Sequence, residues 1–211
     1  MKSLRWILVG AGGFGRELIC WADDCLESAD RIGFSGFLDS NAGALDNFSY
    51  QLDWLGSIES YNPQENDRFI LGVGDPATKQ KIVNALKAKG AIFGQLIHPS
   101  ATIAKTAILG EGVIVCPHSL VSADCSIGSF VSINALSSVG HDAFIGDYVT
   151  LSAHVDLTGG VKVGDFAFFG TGAKVLPKVS IGENSLIGAG AIIIRTVKPG
   201  SVMYAQPAKK L

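Results

Sequence analysis

An apolar residue recurs every six positions from Ile97 to Ile193, without an insertion. The series runs Ile97, Ile103, Leu109, Val115, Val121, Ile127, Ile133, Val139, Ile145, Leu151, Leu157, Val163, Phe169, Val175, Ile181, Ile187, Ile193. All are aliphatic except Phe169. The fourth residue after each is small or apolar, as at Ala101, Val113, Cys125 and Ala143. A period of six fits neither the 3.6-residue turn of an α-helix nor the two-residue alternation of a hairpin meander. It fits a solenoid in which each hexad is one short strand and a corner. Three such strands close a triangular coil of 18 residues, so residues 18 apart stack. Glycine follows the periodic residue at Gly110, Gly128, Gly140, Gly146, Gly164, Gly170, Gly182 and Gly188. Its tolerance of positive φ suggests that it eases the corners.

Residues 1–96 lack this period. Leu4–Val9 reads as a strand, then Gly10-Ala11-Gly12-Gly13-Phe14-Gly15, then a helix from about Arg16 to Cys25. A second strand spans Ile32–Leu38 and ends at Asp39, and a third spans Arg68–Val73. A helix from Pro76 to about Lys89 follows. Between Asn41 and Asp67 the pattern suggests a loop and a short strand. This alternation reads as a βαβ parallel sheet, half of a doubly wound nucleotide-binding fold. Gly10-x-Gly12-x-x-Gly15 after a strand and before a helix, with Asp39 closing the next strand, has the parts of a phosphate-binding fingerprint. Glycines admit a phosphate, the helix N-terminus attracts it, and the acid reaches ribose hydroxyls. One half-fold suits a single nucleotide better than a nicotinamide dinucleotide. A turn that uses glycine for packing alone is the other reading of the loop.

Composition excludes several classes. Charged residues are 17% and the net charge is −2, which argues against a nucleic-acid binder. The apolar start Trp6–Val9 is too short for a signal peptide, and no run approaches a membrane span. A cytoplasmic protein is expected. Cys20, Cys25, Cys116 and Cys125 form no Cys-x-x-Cys pair, so reduced thiols are expected and no metal site.

The half-domain, the joint Leu96-Ile97-His98-Pro99-Ser100-Ala101 and the uninterrupted hexads together resemble one family over essentially the whole chain. That family is the bacterial sugar O-/N-acyltransferases, which include the sialic acid O-acetyltransferases and the UDP-4-amino-sugar N-acetyltransferases of glycan biosynthesis. The resemblance implies an N-terminal nucleotide-sugar domain over residues 1–96. It implies a left-handed parallel β-helix over 97–211, acetyl-CoA as co-substrate, and a homotrimer with active sites between neighbouring β-helices.

It also implies site residues. The motif Asn134-Ala-Leu-Ser-Ser-Val-Gly-His141-Asp142 makes His141 the general base and Asp142 the carboxylate that orients it, with Asn134 on the substrate. Acyl transfer from a thioester needs a base of near-neutral pKa, so the chemistry agrees. A surface histidine on a corner is the plain alternative. Gly159, one coil above His141, suggests open space over the imidazole. Acetyl-CoA contacts are implied at Thr150, where relatives often carry a second histidine, and at Gly159, Thr171 and Ala189. Nucleotide-sugar contacts are implied at Gly12, Gly13, Phe14, Asp39, Ser40 and Gly74. The expected activity is N-acetylation of a nucleotide-linked amino sugar. O-acetylation of a sialic-acid-like sugar and a non-catalytic hexapeptide scaffold are the alternatives.

Overall fold

The structure is a computed structural model and describes residues 4–25 and 33–206. The chain divides into two compact units, Met1–Pro99 and Ser100–Leu211.

The first unit is built on four parallel strands: β1 (Arg5–Val9), β2 (Phe34–Leu38), β3 (Trp54–Gly56) and β4 (Asp67–Leu71), in the order β3-β2-β1-β4. Ile7, Leu8 and Val9 are all fully buried, as a continuous apolar run in a strand covered on both faces requires. Helix α1 (Gly13–Asp24) buries Gly15, Leu18 and Ala22, a stripe at helical spacing. Helix α2 (Pro76–Lys87) starts at Asp75, whose Oδ1 accepts from the Thr78 amide at 2.8 Å, with proline in the first turn.

Two details differ from the sequence reading. Helix α1 begins three residues before Arg16, because Gly13, Phe14 and Gly15 are its first turn and not a separate loop. The third long strand begins one residue earlier than expected and ends at Leu71, where Gly72 and Gly74 let the chain turn towards α2. Ile32, the expected start of the second strand, and residues 207–211 lie outside the described residues.

The second unit is a left-handed β-helix of two-residue strands on three faces. On face one Leu109, Ile127, Ile145, Val163 and Ile181 pair in parallel at offsets of 18. On face two Val115, Ile133, Leu151, Phe169 and Ile187 do so. On face three Ile103, Val121, Val139, Leu157, Val175 and Ile193 do so. Their side chains, with the small residues four positions later, fill the interior as one apolar core. On the edge between faces one and two, the rings of Phe130, Tyr148 and Phe166 stack at 5.3 and 5.2 Å.

The glycines do a different job from the one expected. The left-handed corner position is held mainly by non-glycine residues: His118, Asp124, Phe130, Leu136, Asp142, Tyr148, His154, Phe166, Lys178 and Asn184, all with φ between 56° and 63°. The glycine after each inward residue is needed because coils approach closely there. A Cβ on Gly140 would lie 2.6 Å from the Gly159 amide nitrogen, and one on Gly170 would lie 2.5 Å from that of Ala189. All four cysteines are free.

Candidate active site

His141 and Asp142 occupy the corner between faces three and one, just after Val139. His141 Nδ1 is 2.7 Å from Asp142 Oδ2. An ionised carboxylate can only accept, so Nδ1–H donates, and in the neutral ring that tautomer leaves the lone pair on Nε2. The His141 and Asp142 side chains are 70% and 67% exposed. Asp142 has φ 58°, a conformation aspartate tolerates better than most residues, and it turns the carboxylate back onto its neighbour. The corner is pinned from both sides: Gly160 N donates to His141 O at 2.7 Å, and Asp142 N donates to Ala123 O at 3.0 Å.

Gly159 does not leave a void over the imidazole. The ring leans into the place its side chain would take: a Cβ there would lie 2.5 Å from Nε2 and 2.7 Å from Cε1. Glycine is therefore what lets Nε2 point along the edge towards the next coil. Sequence reasoning missed Cys125, whose buried thiol lies 3.0 Å from the carbonyl of Gly140, next to His141. It stacks 18 residues below Ala143, and nothing in its type marks that contact.

The remaining coil residues do not join His141 on this edge. Asn134, Thr171 and Ala189 lie on the corners between faces two and three, Asn134 directly after Ile133 and the other two residues two positions after Phe169 and Ile187. Asn134 Oδ1 sits 3.7 Å from the Cys116 thiol. Gly172 and Gly190, beside Thr171 and Ala189, would place a Cβ in open space. Thr150 is only 2% exposed, so the ligand contact expected of it is not offered at the surface of the coil. It lies in a buried pair with Ser132 on face two.

In the first unit, Gly12, Gly13 and Phe14 follow the end of β1, Asp39 and Ser40 follow β2, and Gly74 follows β4. These ends form one rim, the place where parallel α/β sheets bind ligands. The glycines divide by role. A Cβ on Gly12, Gly13 or Gly74 would meet nothing within 4 Å, whereas one on Gly15 would lie 2.0 Å from the Gly10 carbonyl oxygen. Gly10 itself has φ 89°. Gly10 and Gly15 thus shape the loop, and Gly12 and Gly13 leave its outer side open at the N-terminus of α1. Asp39 is tied into this loop: Oδ2 accepts from Ala11 N at 2.8 Å and Oδ1 from Asn41 N at 2.9 Å. Arg16, in the first turns of α1, stacks its guanidinium 3.9 Å from the ring centre of Phe48. Lys79 is fully buried on α2, and burial pushes its amine down to about 7. Its place was legible, since 76, 79, 83 and 86 trace the buried stripe.

Among the described residues no group of three or more His, Cys, Asp or Glu is arranged to hold a metal ion. None of their helices is long and apolar enough to cross a membrane.

Family profiles and solved structures match both units. The PglD N-terminal domain profile matches residues 5–86, and the bacterial transferase hexapeptide profile matches residues 160–195. This chain is a hexapeptide-repeat acyltransferase with a PglD N-terminal domain. The acetyltransferase domain of PglB from Neisseria gonorrhoeae, solved with acetyl coenzyme A, is 27% identical at a TM-score of 0.86, with 100% of each chain covered. PerB from Caulobacter crescentus, solved with CoA and GDP-perosamine, is 29% identical at 0.84, over 97% of this chain and 96% of that one. WeeI from Acinetobacter baumannii is 25% identical at 0.84, over 99% and 100%. No functionally curated protein matches the chain.

Proposed function

We propose that this acyltransferase moves the acetyl group of acetyl-CoA onto the amino group of a nucleotide-linked amino sugar, with His141 as general base. One observation carries the reading: an imidazole whose Nδ1 is held by Asp142 and whose Nε2 points into the space kept by Gly159. In the reaction the sugar amine attacks the thioester carbonyl and gives a proton to Nε2. The C–N bond forms, the C–S bond breaks, and the imidazolium returns its proton to the departing thiolate sulfur. Asp142 holds the ring's orientation and offsets the charge that develops on it.

The open rim at Gly12 and Gly13 suits the phosphates of the sugar nucleotide, and Asp39 keeps the loop in shape. The ligands of the Neisseria and Caulobacter proteins favour this donor and this acceptor class. The separation of His141 and Gly159 from Asn134, Thr171 and Ala189 onto two edges supports an acyl-CoA groove completed by a second copy of the chain. A homotrimer, in the cytoplasm where sugar nucleotides and acetyl-CoA are made, fits that arrangement.

The test is acetyl transfer from acetyl-CoA to GDP-perosamine and to UDP- and dTDP-linked 4-amino sugars, by the native chain and by His141→Ala. Loss of turnover by about a hundredfold or more, with unchanged binding of acetyl-CoA, is expected. Turnover by His141→Ala equal to that of the native chain would overturn the assignment.

A further inference from the structure

Among the described residues, Ser119, Ser137 and Ser185 stand at inward positions of an otherwise apolar β-helix core, each 1% exposed. A buried hydroxyl is costly unless it has a hydrogen-bond partner. Each of these donates to a backbone carbonyl one coil on: Ser119 Oγ to Asn134 O at 2.9 Å, Ser137 Oγ to Ser152 O at 2.9 Å and Ser185 Oγ to Lys198 O at 3.2 Å. The acceptor is the first residue of a corner, directly after the inward Ile133, Leu151 or Val197. Cys125 stands in the same register. Its Sγ lies 3.0 Å from Gly140 O, 15 residues on, as Ser119 and Ser137 lie 15 residues before their acceptors. Burial pushes the thiol up from its ordinary value, so the sulfur keeps its proton and acts as the donor.

At other corners the first carbonyl accepts from an amide three residues on. Ala173 N donates to Gly170 O at 3.1 Å, Val179 N to Leu176 O at 3.3 Å and Ala191 N to Gly188 O at 3.2 Å. The inward residues in the donor register there are Val155, Val161 and Ala173, whose side chains carry no polar hydrogen. Side-chain donors therefore mark particular corners, and two of them lie under Asn134 and His141. Gly140 O belongs to the planar peptide unit whose nitrogen is that of His141, so holding it sets the plane from which His141 departs. His141 hangs between two such units. The following unit is held by two backbone bonds, Gly160 N to His141 O and Asp142 N to Ala123 O. The preceding unit is held by the Cys125 thiol. The His141 side chain is 70% exposed, so packing does little to aim it; its direction comes from the backbone and from the Asp142 contact.

We propose that Cys125 is a positioning residue for the general base: its thiol fixes the peptide unit that aims the His141 imidazole into the space kept by Gly159. The proposal rests on the reading of His141 as that base. Cys125 is buried in the coil interior and acts through the backbone alone. When the thiol is lost, the Gly140 carbonyl can rotate, the ring departs from a plane that is no longer fixed, and Nδ1 meets Asp142 for only part of the time. A reacting atom displaced by about 1 Å loses on the order of a hundredfold in rate, so a partial loss of aim falls below that limit. Ser119 holds the carbonyl of Asn134 in the same way, one corner earlier.

The experiment measures acetyl transfer by the native chain, Cys125→Ala, Cys125→Val, Cys125→Ser and Ser185→Ala, with a melting curve for each. Alanine and valine both suit the position, since Ala107, Ala143 and Val161 hold it in other coils. Neither has a donor. Each should lower kcat about fivefold, the effect of one neutral hydrogen bond, with KM for acetyl-CoA unchanged. Cys125→Ser restores a donor of the kind Ser119 provides and should return kcat to within about twofold of the native value. Ser185→Ala loses a donor of the same kind at a corner without a candidate site residue and should keep the native kcat. Native kcat in a folded Cys125→Ala or Cys125→Val, no rescue by serine, or an equal loss in Ser185→Ala overturns the proposal. Nitrogen-15 NMR of the His141 ring reads the same point without an acceptor. The Nδ1–H tautomer should dominate in the native chain, Cys125→Ser and Ser185→Ala, and give way to a mixture in Cys125→Ala; an unchanged tautomer there overturns the proposal as well. A mixed tautomer in Cys125→Ala, together with no acetyl transfer by the native chain, would leave this role of Cys125 standing and sink the proposed sugar substrate.

Discussion

Replacing Gly159 by alanine should damage catalysis far more than folding. Gly159 has no left-handed φ, so alanine can adopt its backbone. The added Cβ would lie 2.5 Å from His141 Nε2, 2.7 Å from Cε1 and 3.1 Å from Cδ2, with no backbone atom among these three nearest. Normal contact between such atoms is about 3.5 Å, so the ring must retreat by about 1 Å. At 70% exposure it has room to swing away at little cost. The stability change should stay within about 1 kcal/mol, since the lost chain freedom of glycine offsets part of any strain. A displacement of about 1 Å in a reacting group costs on the order of a hundredfold in rate. The assay is kcat with acetyl-CoA beside a melting curve. A folded Gly159→Ala with kcat within threefold of the native value would refute the idea that Nε2 works from the space above this glycine. Loss of activity with a collapsed melting temperature would refute the claim that only the ring moves.

Two further outcomes test the first unit. Gly15→Ala sets a Cβ 2.0 Å from the Gly10 carbonyl and should cost more than about 2 kcal/mol in denaturant unfolding, whereas Gly12→Ala meets nothing and should leave stability intact while weakening nucleotide binding; equal destabilisation by both would contradict the division of roles. Lys79, lowered to about 7, is neutral in the folded chain and protonated in the unfolded chain between pH 7 and its ordinary value of 10.5. The unfolded state then holds the extra proton, so native stability should rise with pH across that window. Lys79→Met should flatten this dependence, and an identical slope in the variant would contradict the depressed pKa.

The sequence alone was sufficient for the coil. Its period of six is set by the strand and corner of each hexad, and it repeats because every coil must present the same inward residues to the coils above and below. The strand–helix alternation of the half-domain, the glycine turn from β1 into α1 and the adjacency of His141 and Asp142 were legible for a similar reason, since each depends on residues close in the chain. What needed the tertiary structure depends on coils stacking. The glycines after the inward residues accommodate a neighbouring backbone and not a positive φ, which no single hexad reveals. Gly159 faces the imidazole itself and not empty space, because side-chain direction decides which atom fills a gap. Thr150 is buried although its hexad places it facing outward. Asn134, Thr171 and Ala189 fall on a different edge from His141, because each hexad carries the chain to the next face: Asn134 lies one corner before His141, and Thr171 and Ala189 stack on the corner of Asn134 two and three coils above. Distance along this chain sets the coil and the corner; which corner faces which is decided by the closing of the triangle.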